Sequence, residues 1–197
     1  MKKIVFVGGG GHARVLLEIV RMNGGDILGF VDVEKTDFPE KYLGNDEVLT
    51  EKYLPGEVVL VNGVGSVKRP EKRQKVFEYF KSLNYQFFSV VHPRAIVSES
   101  ARLGEGVQVM ANGVVNPGAD IGDNVIINTS ASVDHDCRIG AHSHIAPGVT
   151  LSGNVNVGRG CHIGTGVKVV QGVTIGDKIL IAAGETVRSE KVYISKD

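Results

Sequence analysis

Apolar residues follow two different rules along this chain, and the change lies near His92 and Pro93. Before that point, short apolar runs alternate with segments of helical periodicity. The runs predict strands over 4–7, 27–32, 58–62 and 87–91, and the periodic segments predict helices over 12–22 and 70–83. Strands that are separated by helical crossovers indicate a small parallel α/β sheet.

After Pro93 the apolar period is six. Every sixth residue from Val97 to Val187 is Val, Leu or Ile, for sixteen consecutive repeats without an insertion. The residue four positions after each of these anchors is mostly small. A period of six fits neither a helix nor an isolated strand, and it is typical of a solenoid whose unit is one short strand and a turn. The pattern therefore predicts an α/β domain over 1–92 and a solenoid over 93–197.

Composition narrows the class of protein. The chain has 197 residues, with 22 Lys and Arg against 22 Asp and Glu. Because it has no excess of positive charge, its composition does not indicate binding to nucleic acid or to an anionic membrane. No apolar run approaches twenty residues, and no cleavage site for a signal peptide follows the N-terminal apolar run. Two cysteines are too few for a disulfide framework. We expect a soluble, cytoplasmic protein with no nucleic-acid or membrane partner.

Ionisable residues concentrate in SVDHDCRIGAHSHIAPG, at 132–148, which holds three of the six histidines. His135 is the third residue of its hexad, so its side chain should lie outside the solenoid near a corner. Asp134 and Asp136 flank it, and Gly153 follows eighteen residues later, one coil above. This arrangement suits a general base beside a hydrogen-bond donor for an oxyanion.

The hexad frame also places the other histidines and both cysteines. His144 and His162 each end a hexad, eighteen residues apart, and should stack on one edge; His142 and His162 are interpreted as surface residues. Cys137 and Cys161 fall on the inward small position, where packing is their expected role. This position argues for direct transfer to a substrate rather than for an acyl-cysteine intermediate.

A second candidate motif lies at the N-terminus. GGGGHA follows a predicted strand and opens a predicted helix, with Gly8, Gly10 and Ala13 in a G-x-G-x-x-A spacing, and Asp32 ends the next strand. This motif predicts a phosphate at the helix N-terminus and a ribose on the acid. About ninety residues make only half of a dinucleotide-binding fold. The glycines of a second turn at 63–66 fit either ligand binding or tight turns.

The six-residue repeat resembles the hexapeptide repeat of the left-handed parallel β-helix, in which three hexads form one coil and prisms typically pack as trimers. With GGGGHA and NTSASVDHDC added, the whole chain resembles the NeuD/PglD-like family of sugar acyltransferases. The resemblance implies an α/β domain with a Rossmann-like half sheet, followed by a left-handed parallel β-helix. It also implies transfer of acetyl from acetyl-CoA to the amino group of a nucleotide-linked amino sugar, in a homotrimer with active sites between subunits.

The resemblance also assigns roles to residues. It implies that His135 is the general base, that Asp136 orients it and that the Gly153 backbone stabilises the oxyanion. The residues implied to bind acetyl-CoA are His144, Gly153, Thr165 and Ala183. The residues implied to bind the acceptor are Gly10, Gly11, His12, Asp32, Asn62, Gly63 and Asn128.

Three other functions are weighed against this one. A sialic acid or sugar O-acetyltransferase would share the fold and the base, and a noncatalytic nucleotide-sugar-binding protein would use only the first domain. A zinc hydratase of the β-helix kind needs three converging histidines. The spacings of 7, 2 and 18 residues along His135, His142, His144 and His162 do not suit such a site, so no metal is expected.

Overall fold

A computed structural model of the chain describes residues 2–66 and 70–188. The last nine residues of the predicted second domain, 189–197, lie outside the described residues. Two units follow one another, a small α/β sheet and a parallel β-solenoid of about five turns, so the predicted fold class is confirmed. No helix in the described ranges has the length and apolar character needed to cross a membrane.

The first unit is a four-stranded parallel sheet in the order β3-β2-β1-β4. Its elements are β1 (Lys3–Val7), α1 (Gly11–Met22), β2 (Ile27–Val31), β3 (Tyr42–Gly44), α2 (Asp46–Lys52), β4 (Val58–Asn62) and α3 (Glu71–Ser82). The predicted strands β1, β2 and β4 and the helices α1 and α3 are confirmed. The sequence did not predict β3 or α2, which have three and seven residues and so carry little periodicity. Helix α2 begins at an Asn45 cap, whose side chain accepts a hydrogen bond from the Val48 N–H.

The solenoid winds its strands into three parallel sheets, which we call face 1, face 2 and face 3 in the order in which the chain visits them. Face 1 holds β5 (Val90–Val91), β8 (Gln108–Val109), β11 (Ile126–Ile127), β14 (His144–Ile145), β17 (His162–Ile163) and β20 (Leu180–Ile181). Face 2 holds β6 (Ile96–Val97), β9 (Val114–Val115), β12 (Ser132–Val133), β15 (Thr150–Leu151), β18 (Lys168–Val169) and β21 (Thr186–Val187). Face 3 holds β7 (Arg102–Leu103), β10 (Asp120–Ile121), β13 (Arg138–Ile139), β16 (Asn156–Val157) and β19 (Thr174–Ile175).

Each of the sixteen predicted anchors from Val97 to Val187 is the second residue of a solenoid strand. Strands stack with a shift of eighteen residues, as in the pairing of Val133 with Leu151. The anchors and the small residues four positions later form one continuous apolar core. Cys137 and Cys161 belong to that core and are free thiols, as their inward position predicted.

The corners between faces share one backbone feature. The fourth residue of the hexad has a positive φ at Gly118 (74°), Asp136 (60°) and Asn154 (56°), three successive turns between face 2 and face 3. This left-handed conformation is open to glycine and is tolerated by Asn and Asp better than by most residues. The turn chemistry therefore favours an acid or amide at the residue that follows His135.

The join between the two units divides a predicted strand. Phe87 forms a bridge with Leu60 of the first sheet, whereas Val90–Val91 pairs with Gln108–Val109 in face 1. The prediction of 87–91 as one strand of the first sheet is therefore wrong, and the division at residues 92 and 93 stays a prediction. Helix α1 covers face 1, and its apolar side shares one buried cluster with Met110 and Ile126.

Candidate active site

His135 lies on the turn between β12 and β13, at the corner of face 2 and face 3, which we call the 2–3 corner. Its side chain is 53% exposed, so the predicted position outside the solenoid is confirmed. The Nδ1 atom donates a hydrogen bond of 2.8 Å to Asp136 Oδ2. Asp134 Oδ1 accepts from the His135 backbone N–H at 2.7 Å and from Asn116 Nδ2 at 3.0 Å, so it fixes the turn from the other side.

The free nitrogen of the His135 ring lies against Gly153, one coil above. A Cβ atom added at Gly153 would lie 2.5 Å from His135 Nε2 and 2.6 Å from Cε1, so any larger residue at this place would displace the ring. No described residue accepts a hydrogen bond from the Gly153 N–H. The corner thus brings together His135, Asp136 and Gly153, and it offers a basic nitrogen beside an available backbone donor.

The hydrogen bond that His135 donates to Asp136 raises the pKa of His135 above its usual value of 6.5, because the carboxylate stabilises the imidazolium; the charge of Asp134 acts in the same direction, and partial burial opposes both. With Nδ1 bonded to the acid, the neutral ring keeps its lone pair on Nε2. In this tautomer the nitrogen that can accept a proton, as a general base must, is the one that faces Gly153.

The glycine-rich motif of the first unit lines a cleft of about 540 Å³ at the carboxyl ends of β1, β2 and β4. Helix α1 begins here at Gly11, after an N-cap Gly10 that provides no side-chain cap, so its first N–H groups border the cleft without a capping partner. Of the predicted acceptor residues, five line the cleft: Gly10, Gly11, His12, Asp32 and Gly63. Lys72 of α3 adds a positive charge to the same lining.

Asp32 and Gly63 also have packing roles in this cleft. The two carboxylate oxygens of Asp32 accept from the N–H groups of Gly9 and Val33, each at 2.8 Å, so the acid holds the glycine turn in place. A Cβ atom at Gly63 would overlap the Gly8 carbonyl oxygen, so the two glycine turns touch. The tight-turn interpretation of Gly63 is therefore supported, while its position also borders the cleft.

His12 is tied to the solenoid through Gln108 on β8. His12 Nε2 lies 2.7 Å from Gln108 Oε1, and Gln108 Nε2 donates to the Asn62 carbonyl at 2.8 Å. Because the amide oxygen of Gln108 faces His12 and can only accept, the His12 ring carries its proton on Nε2 and keeps Nδ1 as an acceptor. Burial lowers the pKa of His12 to about 4, and the charge of Arg73 adds to the shift, so the ring is neutral near pH 7.

Asn62 does not reach the cleft with its side chain. It is 1% exposed, and its Nδ2 donates to the Arg73 carbonyl and to Asn124 Oδ1 while its Oδ1 accepts from the Val64 N–H. Its predicted contact with the acceptor is thus replaced by an internal role, which is to hold the turn after β4 against the solenoid. The sequence analysis missed both Gln108 and Arg73, which complete this network.

His144 lies on face 1, beneath the first unit, and is 7% exposed. Its Nδ1 donates to the Ser66 carbonyl at 2.8 Å, and its Nε2 accepts from Asn128 Nδ2 at 3.0 Å. Burial lowers the pKa of His144 to about 3, with the neighbouring His162 as the next cause. His144 and His162 lie one above the other on paired strands, as predicted, and their rings meet edge to face with centroids 4.9 Å apart. Both nitrogens of His144 are therefore occupied within the chain.

The interpretation of His142 as a surface residue is wrong. Its exposed fraction is 4%, its Nδ1 bonds Asn124 at 3.1 Å, and its ring meets Phe77 edge-on. His162 is half-buried rather than free on the surface. The hexad position showed correctly that both rings lie outside the prism, but the first unit covers this side of it.

The candidate residues fall in three places within one chain. His135, Asp136 and Gly153 occupy the 2–3 corner, which is opposite face 1 in a triangular section. Asn128, Thr165 and Ala183 lie on three of the turns between face 1 and face 2, those after β11, β17 and β20; Thr165 and Ala183 are exposed. The glycine cleft lies in the first unit, which covers face 1. A single chain does not bring His135 to the cleft.

Two family comparisons match separate parts of the chain. The PglD N-terminal domain family matches residues 3–80. The bacterial transferase hexapeptide family, with six repeats, matches residues 118–153, which include His135 and Gly153. The two matches correspond to the α/β unit and to the middle of the solenoid.

Solved structures match the whole chain. The acetyltransferase domain of PglB from Neisseria gonorrhoeae FA1090 has a TM-score of 0.89 and 32% identity, covering 100% of this chain and 94% of that one. PerB from Caulobacter crescentus, in complex with CoA and GDP-perosamine, has a TM-score of 0.85 and 36% identity over 95% of this chain and 91% of that one. The UDP-N-acetylbacillosamine N-acetyltransferase of Bacillus subtilis (strain 168) is 36% identical over 116 residues, 56% of this chain, and the match spans only about half (52%) of that protein.

Proposed function

Because the chain belongs to the PglD-like family of hexapeptide-repeat sugar acyltransferases, we propose that it transfers acetyl from acetyl-CoA to the amino group of a nucleotide-linked amino sugar. The observation that carries this proposal is the 2–3 corner. There His135 has one ring nitrogen on Asp136 and the other against the backbone of Gly153. A base whose tautomer is fixed and a backbone donor beside it are the groups that acyl transfer requires.

In the proposed reaction His135 Nε2 removes a proton from the amino group as the nitrogen attacks the carbonyl carbon of the thioester. A C–N bond forms, and the carbonyl oxygen becomes an oxyanion that accepts a hydrogen bond from the Gly153 N–H. The C–S bond then breaks, and the proton on His135 passes to the sulfur of CoA. Asp136 stabilises the imidazolium between these two proton transfers.

We propose that the acceptor is held by its nucleotide in the glycine cleft. The uncapped N-terminus of α1 and the Lys72 side chain provide donors and positive charge for a diphosphate. The cleft volume of about 540 Å³ suits a nucleotide-sized ligand. His12, neutral and with a free acceptor at Nδ1, would accept a hydrogen bond from a hydroxyl or amino group of the ligand.

We propose that the protein acts as a homotrimer with its active sites between subunits. Within one chain the 2–3 corner is opposite the face that carries the cleft, so His135 needs the cleft and the acetyl-CoA groove of a neighbouring copy. The turns that carry Asn128, Thr165 and Ala183 would provide that groove, mostly through backbone groups. The two free, buried cysteines suit the cytoplasm, where we place the protein.

The test is an acetyl-CoA-dependent assay against UDP- and GDP-linked amino sugars, with the corresponding hydroxyl sugars in a parallel set. We expect turnover of at least one amino sugar and a loss of ~10²–10⁴-fold in kcat for His135→Asn. His92→Asn, at a histidine outside both the 2–3 corner and the glycine cleft and two coils below Asn128, is the matched control and should keep its rate. Turnover of the hydroxyl sugars alone would favour O-acetylation, and a His135→Asn enzyme that works normally would refute the assigned base.

A further inference from the structure

Arg73 of α3 is a buried cation without an acidic partner in the part of the chain that the structure describes. Its exposed fraction is 1%, and no carboxylate of the described residues lies within ion-pair distance of it. Its Nη1 donates to the carbonyls of Asn62 at 3.0 Å and Val64 at 2.9 Å, and its Nε donates to the Asn124 carbonyl at 3.4 Å. The guanidinium therefore joins the turn after β4 to the solenoid through neutral acceptors alone.

An unpaired buried charge is expensive, and no opposite charge among the described residues offsets this one. The nearest titratable rings, His12, His142 and His144, all have a lowered pKa, burial being the largest cause and the charge of Arg73 a further one. Arg73 Nη2 is buried and has no hydrogen-bond partner among the described residues. A fold retains such a group most readily when something outside the chain supplies the opposite charge.

The peptide unit between Val64 and Gly65 connects this cation to the cleft. Its carbonyl accepts from Arg73, and because the peptide is trans its N–H points the opposite way. Gly65 is exposed and lines the glycine cleft, and no described residue accepts a hydrogen bond from its N–H. A cation on the carbonyl side strengthens the N–H as a donor, since hydrogen bonds in series polarise one another.

We propose that Arg73 is a positioning residue for the diphosphate of the acceptor: it fixes the Val64–Gly65 peptide with its N–H toward the cleft and supplies, from behind the turn, the positive charge that the diphosphate balances. The inference rests on the proposed function, which supplies an acceptor of the nucleoside diphosphate class. Arg73 itself does not line the cleft, so it acts through the peptide and through its field.

The first test measures binding by calorimetry for the full-length wild type, Arg73→Gln, Arg73→Lys and Lys75→Gln. Lys75 is exposed on the same helix and controls for the loss of one positive charge. The probes are UDP and GDP, the nucleosides uridine and guanosine, and CoA. We expect Arg73→Gln to weaken diphosphate binding about tenfold or more, to leave nucleoside and CoA binding within about twofold, and Arg73→Lys to recover part of the loss.

A second pair of variants keeps the proposal testable if the Arg73 variants do not fold. Gly65→Pro removes the N–H, whereas Gly65→Ala retains it with a similar added carbon, which lies 3.2 Å from His12 Cβ. We expect Gly65→Pro, compared with Gly65→Ala, to bind UDP or GDP more weakly and to raise KM for the nucleotide sugar without changing KM for acetyl-CoA.

Three results would overturn the inference in different ways. If the wild type binds a diphosphate and the folded Arg73 and Gly65→Pro variants bind it equally well, the role of Arg73 is wrong and the proposed function stands. If the wild type binds neither diphosphate, the nucleotide-linked acceptor fails, and the role of Arg73 fails with it. An equal loss for nucleosides, diphosphates and CoA would show a general structural effect and would also reject the inference.

Discussion

Replacing Gly153 by alanine tests whether the position of the His135 ring sets the rate of acetyl transfer. The added Cβ would lie 2.5 Å from Nε2, whereas ordinary contact begins near 3.4 Å, so the ring must move by about 0.9 Å. The φ of Gly153 lies outside the left-handed region, so alanine fits the backbone and keeps the N–H that we assign to the oxyanion. The substitution therefore displaces the base and leaves the donor in place.

A displacement of this size in a reacting group lowers the rate by ~10²-fold. The effect on folding should be small, because the His135 side chain is 53% exposed and can swing toward solvent. We expect the free energy of unfolding to change by about 0.5 kcal/mol or less. Rate and stability thus separate at this position, which they would not do for a glycine that is needed for packing alone.

The assay is single-turnover transfer from acetyl-CoA with enzyme in excess, combined with urea unfolding of each variant. The His135→Ala background is the control. Once the ring is absent, Gly153→Ala should lower the remaining rate no further, so the two substitutions should be strongly non-additive. A full rate for Gly153→Ala, or the same drop in the His135→Ala background, would refute the contact as the cause.

Two further predictions concern pH. Asp136 raises the pKa of His135, and a base acts in its neutral form, so the acidic limb of the kcat/KM profile should lie above pH 6.5. In Asp136→Asn this limb should move to lower pH, and the plateau of kcat/KM should be lower. A pH–rate profile whose acidic limb does not move would contradict the pairing of His135 with Asp136. Burial lowers the pKa of His144 to about 3. Above pH 7 the ring is neutral in both the folded and the unfolded chain, so its titration does not affect stability. Below pH 6.5 the unfolded chain gains a proton that the folded chain does not take up, and the resulting loss in the free energy of unfolding reaches ~2 kcal/mol at pH 5. We expect urea unfolding at pH 7.5 and pH 5 to show that His144→Gln loses ~2 kcal/mol less stability between these pH values than the wild type does. Equal losses in the variant and the wild type would count against a buried neutral ring.

The solenoid could be predicted residue by residue because its rule is local. An anchor such as Val133 must fill the prism wherever the coil continues, so the period of six fixes the inside and the outside of each strand. The segment over 87–91 is different. Its apolar residues suit either sheet, and the partners that divide it, Leu60 and Gln108, are decided by tertiary packing.

The candidate site could be predicted only as far as that local rule extends. The third hexad position placed His135 outside the prism, next to Gly153 one coil above. The same rule placed His142 outside as well, but it carries no information on whether another unit covers that side. Arg73 left a weaker signal, since it shares a buried helical stripe with Phe77 and Phe80 at spacings of four and seven.

The left-handed residue at the corner that carries His135 has a consequence for how such an enzyme could arise. Asp136 occupies a place where the winding of the coil already prefers glycine, asparagine or aspartate, so its carboxylate imposes little strain on the scaffold. A noncatalytic ancestor would have needed only a histidine one residue earlier, opposite a glycine on the neighbouring coil. Hexapeptide solenoids therefore have many positions from which a histidine–aspartate pair could evolve without any change in their winding.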